Sequence, residues 1–155
     1  MSLLRTLRLA IDVATRRRDA ASQALAQAQA REIAAQQQME QLKSYAHDTE
    51  QRWASQAQIC ALPELMRHHY QFMERLGQAM LMQEGVVAEQ ARWVALARKA
   101  LLEADLRVET LRRLLRNKEA EAAQVQQRRE QRQMDEMAAT RFGRTAGRGF
   151  SGGTG

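Results

Sequence analysis

The chain has 155 residues, with 24 Lys and Arg against 18 Asp and Glu and a formal net charge of +6. Aromatics make up 5%, and alanine inflates the apolar share of 45%, so the chain lacks the ingredients of a thick globular core. A single cysteine, Cys60, excludes an internal disulfide framework and suits a reducing cytoplasm, and no run approaches the roughly 20 apolar residues that span a bilayer.

The chain opens with Ser2, a good helix cap, followed by Leu3, Leu4, Leu7 and Ile11 among Arg5, Arg8 and Arg16 to Arg18. These residues fit a mitochondrial-type targeting helix or a helix lying on anionic lipid. They fit equally the basic outer face of a coiled-coil arm, and only that reading continues unbroken past Arg18. Alternating steps of three and four give Leu4, Leu7, Ile11, Ala14, Arg18, Ala21, Leu25, Ala28, Glu32, Ala35, Met39, Leu42, Ala46, Thr49 and Trp53. A sustained period of 3.5 residues marks the a and d positions of a coiled coil. Residues 19–38 are rich in alanine and glutamine, both good helix formers, and read as a spacer of set length. At about 1.5 Å per residue the first arm runs to roughly 80 Å.

Ile59-Cys60-Ala61-Leu62-Pro63 breaks the pattern at the only proline. Beyond it the repeat resumes as Met66, His69, Met73, Leu76, Met80, Gln83, Val87, Gln90, Val94, Ala97, Leu101, Ala104, Val108, Leu111 and Leu115. In an antiparallel pair an a position meets a d position, which restricts the numbers of facing residues to sums such as 115, 122 or 129. The sum 122 puts the turn at Ala61, beside the proline. It also layers large on small: Ile11 on Leu111, Ala14 on Val108, Leu25 on Ala97, Ala28 on Val94 and Ala46 on Leu76, with Glu32 opposite Gln90 as a polar layer. The fold expected is all-α: a long antiparallel two-helix coiled-coil hairpin with an overhanging C-terminal helix. Helix 1 covers about residues 2–58, the turn 59–63 and helix 2 about 64–140, one domain over 1–141, with a disordered Gly-rich tail over 142–155.

One flank of the hairpin is apolar. The g positions, one before each a, bring Gln38, Tyr45, Phe72, Ala79, Val86 and Trp93 to one side near the turn, whereas the e flank (Gln36, Lys43, Glu50, Glu84, Arg98) is polar. Such a flank reads as a docking surface, or as packing for a third helix or a second copy of the chain. His47, His68 and His69 are ordinary polar residues near the turn, without the spacing of a metal site. Gly77 and Gly85 weaken helix 2 locally and permit bending or close approach by a partner. No phosphate loop, nucleophile elbow or carboxylate pair is present, so no catalytic residue, metal or cofactor is expected. From Glu119 onward helix 2 has no partner, and its residues suit either a solvated helix or an element that orders inside a partner. Residues 107–148 hold eleven Lys or Arg against six Asp or Glu, and residues 5–18 add five Arg against Asp12, which makes the open end basic. Such an end seeks phosphate, anionic lipid or an acidic protein cavity. The Arg-Gly steps of the tail point only faintly to RNA.

The opening Leu4-Arg5-Thr6-Leu7-Arg8-Leu9-Ala10, the cluster Gln38, Leu42 and Tyr45, and the stretch Tyr70-Gln71-Phe72-Met73-Glu74-Arg75-Leu76 followed by Ala79 resemble the FliJ family of flagellar type III protein export. The resemblance covers about residues 3–140; the glycine tail is not part of the pattern, and Thr49 and Gln83 depart from it beside the clusters. It implies a stalk-like coupling protein, similar to the central stalk of rotary ATPases, whose open end enters the export ATPase ring. It further implies that Gln38, Leu42, Tyr45, Phe72, Leu76 and Ala79 bind the membrane export gate and that the protein handles export chaperones. The ring-facing residues expected from the basic end are Arg5, Arg8, Arg112, Arg113, Arg116, Arg128 and Arg129. The location implied is cytoplasmic, peripheral to the inner membrane, with no nucleic acid or small-molecule substrate. The alternatives are the equivalent stalk of a virulence-type secretion system, or a basic coiled-coil adaptor for nucleic acid or membrane.

Overall fold

The computed structural model describes residues 2–59 and 62–150, with two helices, α1 (Leu3–Ala57) and α2 (Pro63–Phe150). Ser2 caps α1 as expected. Its Oγ accepts a hydrogen bond from the Arg5 N–H at 3.3 Å, and its carbonyl accepts one from the Thr6 N–H at 3.3 Å. These bonds occupy donors that the first turn of a helix leaves without an internal partner. Pro63 is the first residue of α2 rather than the last of the turn. At that position proline sacrifices no hydrogen bond, and its fixed φ already suits the helix. The Leu62 carbonyl accepts from the Met66 N–H at 3.1 Å, and Glu64 sets a negative charge on the first turn, where the helix dipole favours it. Cys60 and Ala61, the middle of the expected turn, lie outside the described residues.

By contacts the chain groups into two compact units, Ala14–Arg107 and residues 1–13 with 108–155. Each layer of a two-helix seam touches only the layers next to it, so contacts along such a seam are local.

In the unit Ala14–Arg107 the two helices pair antiparallel as a hairpin. Every a and d position read from the sequence is buried or half-buried, including the polar Arg18, Glu32 and Gln90. Ala14, Ala28, Ala35, Met39, Leu76 and Val94 are buried. Near the turn the Trp53 and His69 rings stack with centroids 4.4 Å apart and planes 7° from parallel. Their numbers sum to 122, so the expected register holds there, and His69 is a seam residue rather than an ordinary surface histidine. The buried polar layer is centred on Gln83, whose Nε2 donates to the Ala35 carbonyl at 2.9 Å.

In the other unit Leu7 and Val108 are buried, and Leu4, Ile11, Leu111, Leu115 and Lys118 are half-buried. Arg8 and Glu119 form an ion pair at 3.4 Å, one residue beyond the expected end of pairing. Both side chains are exposed, and such pairs contribute about 0–1 kcal/mol. From Glu119 to Gly147 every residue is exposed, because α1 begins at Leu3 and has no residue to pair with them; Ala122 and Val125 hold the next seam positions, and Arg129 and Arg132 follow.

The helix continues through Phe150, into the stretch read as a Gly-rich tail from 142; residues 151–155 lie outside the described residues. Extending an existing helix adds a hydrogen bond per residue without a new nucleation cost. Gly143 and Gly147 each cost about 1 kcal/mol relative to alanine, but they do not force a break. Thr140 and Thr145 hydroxyls donate to the carbonyls of Glu136 and Arg141 at 2.8 and 2.7 Å.

The register has a direct test. Cysteines at Leu25 and Ala97 in a Cys60→Ser background are expected to crosslink within one chain. Products formed only between chains would replace the hairpin with an extended dimer.

Candidate functional site

The hairpin unit carries an exposed aromatic pair on its g flank. Tyr45 from α1 and Phe72 from α2 meet edge to face, with centroids 6.0 Å apart and an angle of 75° between rings. Contact between g residues of opposite helices is what an antiparallel seam imposes, since both g edges lie on one side. Tyr45 is 54% exposed and Phe72 38%, so the pair is braced by its own geometry while much of each ring remains available. Such pairs contribute about 0.5–1.5 kcal/mol beyond area burial. The Thr49 hydroxyl donates to the Tyr45 carbonyl at 2.8 Å, a local bond on the same turn.

The six residues of the expected gate cluster are not equivalent. Gln38, Tyr45 and Phe72 are exposed, and Ala79 is half-buried. Leu42 is half-buried in the seam, and Leu76 is buried there with 8% exposure. Leu76 therefore holds the flank from beneath and presents little surface of its own. Farther along the flank, Ala24, Ala28 and Ala97 leave a cleft of about 330 Å³ rimmed by Trp93 and Leu96. Small seam residues make this cleft: alanine lets the backbones approach but leaves a hollow beside the two large side chains.

Sequence reasoning missed Gln83 as the polar anchor of this region. The glutamine was visible at a d position, but nothing in the repeat states that its amide reaches the carbonyl of Ala35, one turn from Gln38 and Met39. A buried amide needs such a partner, and the bond ties the two helices at a fixed axial offset.

The seven arginines assigned to the basic end all lie in the unit formed by residues 1–13 and 108–155, and all are exposed. Arg5, Arg8, Arg112, Arg113 and Arg116 occupy b, e and f positions, pointing away from the seam. Arg128 and Arg129 stand on the unpaired section of α2. Only Arg8 of the seven has an ion-pair partner among the described residues. The described residues contain no His, Cys, Asp or Glu group able to hold a metal ion, and no helix among them is long and apolar enough to cross a membrane.

A paired coiled coil, an exposed aromatic flank and an unpaired helix that bears arginines are consistent with the resemblance drawn from the sequence. The family described as Flagellar FliJ protein matches residues 4–147. The chain belongs to this family. It is a coiled-coil protein related to flagellar export, a structural class rather than a known family of enzymes. The FliJ match runs past residue 140, where the resemblance read from the sequence ends, and takes in Gly143 and Gly147. No curated protein and no solved structure matches the chain significantly.

The division between flank and seam predicts two stability outcomes. Phe72→Ala should lower stability by well under the roughly 3–5 kcal/mol of a buried phenylalanine, whereas Leu76→Ala should cost about 2–5 kcal/mol. Thermal and urea unfolding of the two variants measures both. An equally damaged Phe72→Ala protein would place Phe72 in the core.

Proposed function

We propose that this FliJ-family chain is the stalk and coupling protein of a flagellar type III export apparatus. The hairpin unit binds the membrane export gate through its aromatic flank, and the arginine-bearing unit engages the export ATPase ring. Export chaperones are further partners, and the protein works in the cytoplasm against the inner membrane. The observation that carries the reading is the Tyr45–Phe72 pair, exposed on two helices that the seam holds in fixed register.

The mechanism is mechanical and rests on binding alone. Gln38, Tyr45 and Phe72 supply contact area with little ordering cost, because the seam already fixes their backbones and the rings already touch. Leu42, Leu76 and Ala79 act by keeping that surface in place. On the other unit the unpaired helix presents Arg128 and Arg129 without competing seam contacts, which suits insertion into an acidic protein cavity. Ring and gate are biased because each binds one arrangement of this chain better than another, and coupling can be no larger than that difference.

Two measurements test the two halves separately. Phe72→Ala should weaken affinity for the cytoplasmic portion of the cognate gate by about 2 kcal/mol or more, the cost of losing an interface anchor. A stable variant that binds normally removes the flank from this role. Deleting residues 120–155 leaves the seam and the Arg8–Glu119 pair intact, so helicity per residue and thermal midpoint should hold while stimulation of the cognate ATPase is lost. Full stimulation by the truncated protein would remove the unpaired helix from the ring contact.

A further inference from the structure

α2 carries a second apolar line that α1 covers only in part, at Phe72 and Ala79. Phe72, Ala79, Val86 and Trp93 recur every seven residues, and Met82 and Leu96 fall three residues after Ala79 and Trp93. This is the same period that makes the seam with α1, displaced about 100° around the helix. In the hairpin unit the line is open: Met82 is 75% exposed, Leu96 58% and Trp93 55%. A helix with two apolar lines roughly at right angles suits a four-helix bundle, where each helix packs against two neighbours.

The charges on that line select the neighbour. Arg75 and Glu89 occupy it, both exposed, and neither has an ion-pair partner among the described residues. Laid antiparallel on itself about a two-fold axis near residue 84, the line is self-complementary. Phe72 then meets Leu96 of the second copy, Met82 meets Val86, Glu89 meets Ala79, and Arg75 lies over Trp93 one turn from that Glu89. Moving the pairing one heptad in either direction sets Phe72 against Glu103 or Glu89, so of the three registers this one alone keeps the phenylalanine from facing a carboxylate. We infer that the hairpin unit pairs with a second copy of this chain, α2 against α2, in a four-helix assembly. The inference stands on oligomeric state and does not depend on gate binding.

Sedimentation equilibrium of the full chain, with Cys60→Ser to exclude disulfide dimers, reads the state directly. A dimer that dissociates on dilution is expected. Arg75→Glu and Glu89→Arg should each weaken it on the order of tenfold or more, because each puts like charges together. The double variant Arg75→Glu/Glu89→Arg should recover most of the lost affinity, a rescue that neither misfolding nor a different interface produces. In a Trp53→Phe background, Trp93 emission should shift to the blue as concentration rises. A monomer at every concentration, a dimer indifferent to the single swaps, a failed rescue, or Trp93 emission that does not move would each overturn the proposal and leave the line to a different occupant.

Discussion

The seam between α1 and α2 is two residues wide per turn, and much of it is alanine. Ala14, Ala28 and Ala35 are buried on α1 together with one large residue, Met39, whereas the buried residues of α2 in the same unit are Leu76, Gln83 and Val94. Small residues against larger ones let the helices approach closely. The same choice limits the apolar area that any layer removes from water. Stability therefore accumulates layer by layer along strong helix formers, with Ser2 and Pro63 setting clean starts. Most residues outside the a and d lines are left to solvent, so the surfaces open to a partner are the flanks and the unpaired helix.

That dependence on a local repeat explains why so much is legible in the sequence. A heptad phase needs no long-range information, and the register follows from two phases and one proline. The Trp53–His69 stack bears this out at the turn end of the hairpin, and the g-edge geometry alone puts Tyr45 beside Phe72. Where the sequence reading errs, the missing information is of another kind. Gln83 looks like a weak seam residue because a repeat assigns a face and says nothing about which carbonyl an amide reaches. The point at which the helix gives way to the Gly-rich tail is also not legible, because glycine propensity weighed residue by residue leaves out the gain from extending an existing helix.

The candidate surfaces are legible to different depths. The aromatic flank follows from period alone, whereas the partners proposed for it rest on what the family resemblance implies and not on any distance in the molecule. Leu42 and Leu76 show the limit of a set of site residues drawn from spacing: the seam claims them first, so their loss would affect binding through the shape of the flank. The seven arginines are less distinct still. All are exposed, and nothing in their geometry separates an arginine that meets a partner from one that is merely solvated.

An exposed apolar line on a helix is a liability until something covers it. Met82, Trp93 and Leu96 are too exposed to be explained by the seam, and Phe72 belongs to both the self-pairing line and the flank assigned to the gate. One surface cannot serve two occupants at once. Self-pairing would protect the line before assembly and would set the affinity a partner must exceed to displace it. A partner that needs only Tyr45, Gln38 and the near edge of Phe72 could displace the second copy by taking the end of its contact, without covering Trp93. The far end, with its cleft over Ala24, Ala28 and Ala97, would then be uncovered as the near end is occupied. If both proposals hold, exchange on a single flank would give the protein a way to sense whether its partner is present.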